Sequence, residues 1–150
     1  HRNFQGYTKH GNCDLVAMGV SAISKIRGVF SQNAKDEPGY VEALKKGRLP
    51  IIKGYVSTDE DRLRSKVIQR IACYGDLDMQ DFEHKFGIDF NTHFASELQS
   101  LQPMVDDGLV TITEHRLQVT AKGRLLVRNI CMAFDEYTRV SDNSRFSKAI

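Results

Sequence analysis

Between residues 57 and 134 the spacing of the apolar side chains changes twice, and this restricts the fold more than any other feature of the chain. Leu63, Val67 and Ile71 recur every four residues, with Ile68 and Ala72 widening the stripe, so 58–73 reads as an amphipathic helix. Ser57 stands three residues before Glu60 at its start, the spacing of a capping box, and the acidic first turn suits the positive end of the helix dipole. Asp78 is the expected cap of a shorter helix, which carries Phe82 and Phe86 on one face and closes at Gly87. A third helix is expected over 91–105. Asn91 caps it, Phe90 staples its start, its face is Phe94, Leu98, Leu101 and Val105, and Pro103 kinks or changes its last turn. After the Asp107-Gly108 turn the period drops to two: Leu109–Thr113 and Leu117–Thr120 alternate as strands joined through Glu114-His115-Arg116. Thr120 then caps a closing helix bearing Leu125, Leu126, Ile130, Ala133 and Phe134.

Three helices, a β-hairpin and a closing helix define a winged-helix-like module over 57–134. A nucleic-acid-binding role for it is a further alternative, and charge weighs against it. Modules of this kind place the third helix in the major groove, where Lys and Arg neutralise phosphate. Residues 76–107 hold eight Asp and Glu against Lys85 alone, and the third helix has Glu97 with no Lys or Arg. The net charge of the chain is only +2, which selects no partner. Basic residues cluster elsewhere, as Arg62, Arg64, Lys66 and Arg70 on the first long helix and Lys122, Arg124 and Arg128 on the last. They read as solvated faces, or as attraction for a multiply carboxylated ligand.

The first 56 residues are less regular. Residues 1–14 are polar and turn-rich and read as loop; Leu15–Ser24 reads as a strand running into a small-residue turn, and 25–56 as mixed. Tyr40, Val41 and Leu44 mark a short helix that ends at Lys45-Lys46-Gly47, and Pro50 forbids its continuation. The chain opens HRNFQGY without Met and in mid-pattern, so a piece of a longer protein is expected. No apolar run approaches the roughly 20 residues of a membrane span, and no signal peptide opens the chain, so a cytoplasmic location is expected.

A catalytic site is not expected within the chain. Cys13, Cys73 and Cys131 are odd in number and far apart, which excludes a disulfide framework and a close-spaced zinc or iron–sulfur site; each reads as a buried or half-buried thiol. His1, His10, His84, His93 and His115 form no ligand pair, and His84 and His93 read as surface residues. No phosphate loop or nucleophile elbow is present; Gly19-Val-Ser21-Ala-Ile lacks the second Gly of the latter. The stretch MGVSAIS, residues 18–24, is built of unusually small residues. Gly in a strand admits two readings, close approach of a ligand or close packing against a helix.

Three groups of residues carry a resemblance. Phe4-Gln5-Gly6-Tyr7-Thr8, Asp14-Leu15 and Met18–Ser24, in that order and spacing, resemble the oxygen-independent coproporphyrinogen III oxidases, also called coproporphyrinogen dehydrogenases, and the likeness continues through Val119–Met132 to Arg145-Phe146-Ser147. The family implies a radical S-adenosylmethionine enzyme of anaerobic haem biosynthesis. In it a reduced 4Fe–4S cluster cleaves S-adenosylmethionine, and the resulting 5′-deoxyadenosyl radical starts the oxidative decarboxylation of two propionates of coproporphyrinogen III to the vinyls of protoporphyrinogen IX. The cluster motif, C-x3-C-x2-C, is absent from this sequence. The resemblance therefore implies the C-terminal part of such an enzyme, inactive alone, with the cluster ligands upstream.

The expected organisation is α/β, more closely α+β. Residues 1–56 are the C-terminal edge and remnant of the radical-SAM (β/α) barrel plus a connecting segment, 57–134 the mostly helical winged-helix-like domain, and 135–150 a tail. By resemblance Gln5 and Ile23 line the site of a second S-adenosylmethionine. Arg27, Arg145 and Lys148 are candidates for the substrate's propionates, and no catalytic or metal-ligating residue is expected here. The partners implied are coproporphyrinogen III and the N-terminal barrel of the same protein, without nucleic acid or a membrane span, the whole protein being a monomer. A haem-chaperone relative of the same superfamily is the competing reading; FQGYT and MGVSAIS favour the oxidase.

Overall fold

The computed structural model describes residues 1–140 apart from Phe4, Gln5 and Asn12. They form two compact units, 1–62 and from Leu63 onward, each a mixture of helices and small antiparallel sheets.

The first unit begins with a two-stranded ribbon, β1 (Arg2–Asn3) against β2 (Gly6–Tyr7), where a loop was expected. Its main feature is a three-stranded antiparallel sheet in the order β3 (Ile23–Ile26), β4 (Val29–Asn33), β5 (Ile51–Val56). Arg27 and Gly28, at φ 48° and 81°, make the two-residue turn between β3 and β4; positive φ at both positions matches the twist of the paired strands. Helix α1 (Glu37–Lys45) bridges β4 and β5. Asp36 caps it by accepting from Gly39 N–H, and Pro38 stands in its first turn. Pro50 does end the excursion: it is buried, and its carbonyl accepts from Ala34 N–H at 2.8 Å.

One further expectation fails in this unit. The strand over Leu15–Ser24 does not form: Leu15 makes one bridge to Lys25, residues 16–18 are irregular, Gly19–Ser21 is a turn, and the strand starts only at Ile23. Gly19 at φ 106° and Ser21 at φ 59° are incompatible with a strand. The mixed region 25–56 contains β4 and β5, whose pairing is non-local and leaves little local pattern.

Helix α2 (Asp59–Tyr74) starts in the first unit and gives most of its length to the second. Its cap lies one residue later than expected. Thr58 Oγ1 accepts from Asp61 N–H and Asp61 Oδ2 accepts from Thr58 N–H, so Thr58 and Asp61 form the box in place of Ser57 and Glu60. The second unit continues with β6 (Asp76–Asp78), α3 (Met79–Phe86), α4 (Phe90–His93), α5 (Ala95–Ser100), α6 (Gln102–Asp106), β7 (Val110–Ile112) and β8 (Arg116–Val119). A 3₁₀ turn (Gly123–Leu126), α7 (Val127–Met132) and α8 (Glu136–Val140) complete it. The sheet order is β6-β8-β7, all antiparallel, with Ile112 opposite Leu117. Asp78 caps α3 and Gly87 closes it at φ 66°, as expected.

The single helix expected over 91–105 is instead three short ones. Asp89, not Asn91, caps the first by accepting from Thr92 N–H, and the helix breaks at Phe94 (φ −107°, ψ 26°) and Leu101 (φ −83°, ψ −8°). Pro103 lies in the first turn of α6, so the expected change in the last turn is a new helix start. The breaks let Phe90, Phe94 and Leu101 all reach zero exposure. A chain of aromatic contacts then crosses the core: Phe82 to Phe90 at 5.9 Å, Phe90 to Phe94 at 4.7 Å and Phe94 to Phe134 at 5.6 Å between centroids. Leu63, Val67 and Ile71 of α2, Leu77, Val110, Leu117 and Ile130 pack around it. Thr120 caps the closing segment by accepting from Gly123 N–H, but that segment opens as a 3₁₀ turn before α7.

Candidate functional site

The small-residue stretch is a turn whose backbone is held from outside. Ala22 N–H donates to Gly19 O at 3.4 Å, closing a four-residue turn with Ser21 at the positive φ of a type II turn. Asn33 Nδ2 donates to the same Gly19 oxygen at 2.9 Å, and Gly19 N–H donates to the Tyr40 hydroxyl at 3.0 Å. Ser21 N–H donates to Ala34 O at 2.7 Å, and Asn33 N–H to Ala22 O at 3.0 Å. Ala17 N–H donates to Ser24 Oγ at 3.0 Å, so a buried hydroxyl replaces a ladder bond. On the outer side Val16, Met18 and Val20 are exposed, Met18 at 88%. A Cβ added at Gly19 would meet nothing within 4 Å, so the backbone there is open to approach. Small residues thus serve the turn, and the apolar side chains of Val16, Met18 and Val20 in and before it are accessible.

Ile23 is the first residue of β3, half-buried and opposite Gln32. The open Gly19 backbone therefore lies near exposed apolar side chains, with Ile23 four residues further along the chain. Arg27 is exposed at the tip of the β3–β4 hairpin, where its N–H donates to Asp14 Oδ1 at 2.9 Å. Ser24, Lys25 and Ile26 separate it from Ile23, a span of roughly 13 Å along the strand. Gln5, Arg145 and Lys148 lie outside the described residues. Asn33 was not singled out in the sequence, and Tyr40 only as a residue of the short helix. Neither belongs to a motif, and each meets Gly19 only because the chain returns to it.

The described residues contain no group of three or more His, Cys, Asp or Glu suited to a metal. Cys73 is half-buried and Cys131 buried, but Cys13 is exposed, against expectation, because it sits in the irregular segment after β2. The residues present do not fit an iron–sulfur cluster. His84 and His93 are surface residues, as expected.

The second unit carries two polar clusters. Arg116 Nε and Nη2 grip Asp76 at 2.7 and 3.1 Å, and Gln118 Nε2 adds a bond at 3.2 Å. The Arg116 hydrogen bonds hold the Asp76 carboxyl below the usual range, and Asp76 in turn raises Arg116. Hydrogen bonds from Thr92, the backbone one foremost, lower Asp89 in the same direction. An open cavity of about 350 Å³ lies against this cluster, between Tyr74, Thr111 and Arg124. Its guanidiniums are engaged: Arg116 by Asp76, and Arg124 Nη2 by the Tyr74 carbonyl at 2.9 Å. The second cluster corrects the charge reading. Glu97 is 3% exposed and meets Arg64 Nη1 at 2.9 Å, so Arg64 is no solvated residue and Glu97 presents no charge to an approaching polyanion. Asp76 is likewise neutralised within the unit.

Residues 57–126 match the HemN C-terminal domain. The chain is 46% identical, over 99% of its length, to oxygen-independent coproporphyrinogen III oxidase from Pseudomonas aeruginosa, and covers 32% of that protein. It is 43% identical, over its full length, to the Escherichia coli protein of the same name, and covers 33% of it. The solved coproporphyrinogen III oxidase (HemN) from Escherichia coli, described as a radical SAM enzyme, superposes with a TM-score of 0.88 at 44% identity, over 91% of this chain and 32% of that one. Residues 57–126 are thus similar to the HemN C-terminal domain, a match that covers just under half of the chain. Along its whole length the chain is similar to the oxygen-independent coproporphyrinogen III oxidases, and it spans about a third of the length of these relatives.

Proposed function

We propose that the chain is the C-terminal third of an oxygen-independent coproporphyrinogen III oxidase. In that reading the whole protein decarboxylates two propionates of coproporphyrinogen III to vinyls, in the cytoplasm and as a monomer, and the fragment alone is inactive. The observation that carries the reading is that the likeness runs through 99% of the chain, so it includes the ligand-side turn as well as the C-terminal domain. No helix of the described residues is long and apolar enough to cross a membrane.

Within this reading, residues 1–56 adjoin the barrel, and 57–134 form a winged-helix-like cover for its mouth. The order helix, strand, helices and hairpin, with β8 central in its sheet, supports the latter assignment. Gln5 and Ile23 border a second S-adenosylmethionine, which supplies radical chemistry when bound. The task of this chain is to orient and to shield: Ile23 gives an apolar wall, and the Gly19 backbone leaves room for close approach. Arg27, Arg145 and Lys148 are the candidates for pairing with propionates, since Arg and Lys suit carboxylates. The cluster ligands belong upstream, because the cysteines of this chain do not fit one.

The test is to extend the reading frame upstream, load the whole protein with its cluster and assay it anaerobically with S-adenosylmethionine and reductant. Conversion of coproporphyrinogen III to protoporphyrinogen IX, lost with the upstream cysteines and reduced by Ile23→Ser, is the expected result. A cluster-loaded protein that decarboxylates nothing would refute the reading.

A further inference from the structure

The Gly19–Ser21 turn is held chiefly by residues far from it in sequence. We propose that Asn33 and Tyr40 are positioning residues, which fix this turn in the shape required by the ligand beside Ile23. The inference rests on the placement of S-adenosylmethionine at Ile23 given above.

Asn33 is 8% exposed and sits where a bulge between Gln32 and Asn33 shifts the register of β4 against β5. The extra residue is Ile52 of β5, and the Asn33 amide on β4 reaches across to the turn. Its Nδ2 donates to Gly19 O at 2.9 Å and, at 3.5 Å, to Ala17 O, while its main-chain N–H donates to Ala22 O. One residue therefore grips the turn on both flanks. Two donor hydrogens on one nitrogen make this possible. A carboxylate in the same place would set oxygen against carbonyl oxygen, and Ser is a bond too short.

Tyr40, on α1, completes the grip by accepting from Gly19 N–H at 3.0 Å. Both polar groups of Gly19 are thus occupied, and its φ of 106° is one that L side chains rarely adopt. Glycine adopts it freely, but Ser21 at φ 59° is an uncommon conformation for a residue with a side chain. A peptide in such a conformation relaxes unless its surroundings over-determine it, and Ile23 follows only two residues later. Releasing Gly19 would thus let the start of β3, and the side chain facing the ligand, move. A role confined to holding the sheet together would lower stability without selecting one ligand site.

The experiment is equilibrium dialysis of S-adenosylmethionine against the cluster-loaded full-length protein, without reductant, comparing the parent with Ile23→Ser, Tyr40→Phe and Asn33→Ala. Tyr40→Phe keeps the ring and removes one hydroxyl, so it tests the idea even if Asn33→Ala unfolds the sheet. Expected are two equivalents bound by the parent. One of them should be weakened roughly three- to tenfold by Tyr40→Phe, as the loss of one hydrogen bond predicts, and further by Asn33→Ala, with the other equivalent unchanged. If Ile23→Ser loses one equivalent while Tyr40→Phe and Asn33→Ala keep both at parental affinity, the positioning role is overturned and the site at Ile23 stands. Parental binding in all three variants overturns both.

Discussion

Glu97 is a charge held inside the second unit, and Arg64 is what makes it tolerable. Beyond the 2.9 Å ion pair, Ser96 Oγ donates to the other Glu97 oxygen at 2.8 Å, and Arg64 Nη1 donates to Phe134 O at 3.2 Å while its guanidinium lies 5.3 Å from the Phe94 ring. Removing one partner of such a pair leaves the other buried and uncompensated, which typically costs about 3–5 kcal/mol. Glu97→Ala should accordingly destabilise the protein by about that amount in urea denaturation, and Glu97→Gln, which can still accept from Arg64, by less. Asp76 is the residue through which acid should act. Its folded pKa lies below the unfolded value of about 3.9. Its pairing therefore contributes stability that is fully present above about pH 4 and lost as pH falls through the lowered folded value. Asp76→Asn should lower stability at neutral pH and flatten the acid limb, as read from midpoints measured between about pH 2 and 6.

Among the elements, α2 depends on the Thr58–Asp61 box. Thr58→Ala should cost about 1 kcal/mol, while Ser57→Ala leaves the cap in place; thermal midpoints of the two variants separate the box observed here from the one expected a residue earlier. The closing segment depends on Gly123. A Cβ there would overlap the carbonyl oxygen of Leu109 and crowd Val119 at 3.1 Å. That oxygen also accepts from Thr120 N–H at 3.0 Å and Thr120 Oγ1 at 3.1 Å, so it is not free to move away. Gly123→Ala should cost about 1–3 kcal/mol and disturb the β7–β8 side of the core, visible as a lowered urea midpoint with altered near-ultraviolet circular dichroism.

For the whole molecule, the informative contrast is between the two cores. The second unit buries fifteen residues in one apolar cluster. Among the described residues of the first, Ala34 and Pro50 are the only buried apolar side chains, and every residue of β5 is exposed, Ile52 at 59% and Val56 at 67%. Burial at about 25 cal/mol per Å² cannot hold such a sheet firmly, and its edge strands offer unpaired backbone. In hydrogen exchange on this chain, amides of β4 and β5 should exchange at least about tenfold faster than those of α2 and β8. In the whole protein the same amides should be protected, because the remaining two thirds of the polypeptide would cover them. Equal protection in both would contradict the reading that the first unit is part of a larger core.

The amino-acid sequence by itself determined what neighbours along the chain decide. The stripe of Leu63, Val67 and Ile71, the Asp78 and Thr120 caps, the Gly87 stop and the alternation of the β7–β8 hairpin are all interactions within a few residues, and all are present in the structure. The resemblance in FQGYT and MGVSAIS also lay in the sequence and pointed to the oxygen-independent coproporphyrinogen III oxidases, to which the chain is similar along its length. Tertiary structure alone decided the rest. The expected strand at Leu15–Ser24 is a turn because Asn33 and Tyr40 bind Gly19, and the expected helix over 91–105 is broken because Phe94 and Leu101 must reach one core together with Phe90 before it. Glu97 is inside because Arg64 waits there, and Gly123 is required because Leu109 passes close by. The partners in these contacts lie more than a dozen residues apart, beyond the reach of any periodicity or cap signal, and they come into register only when the chain closes on itself.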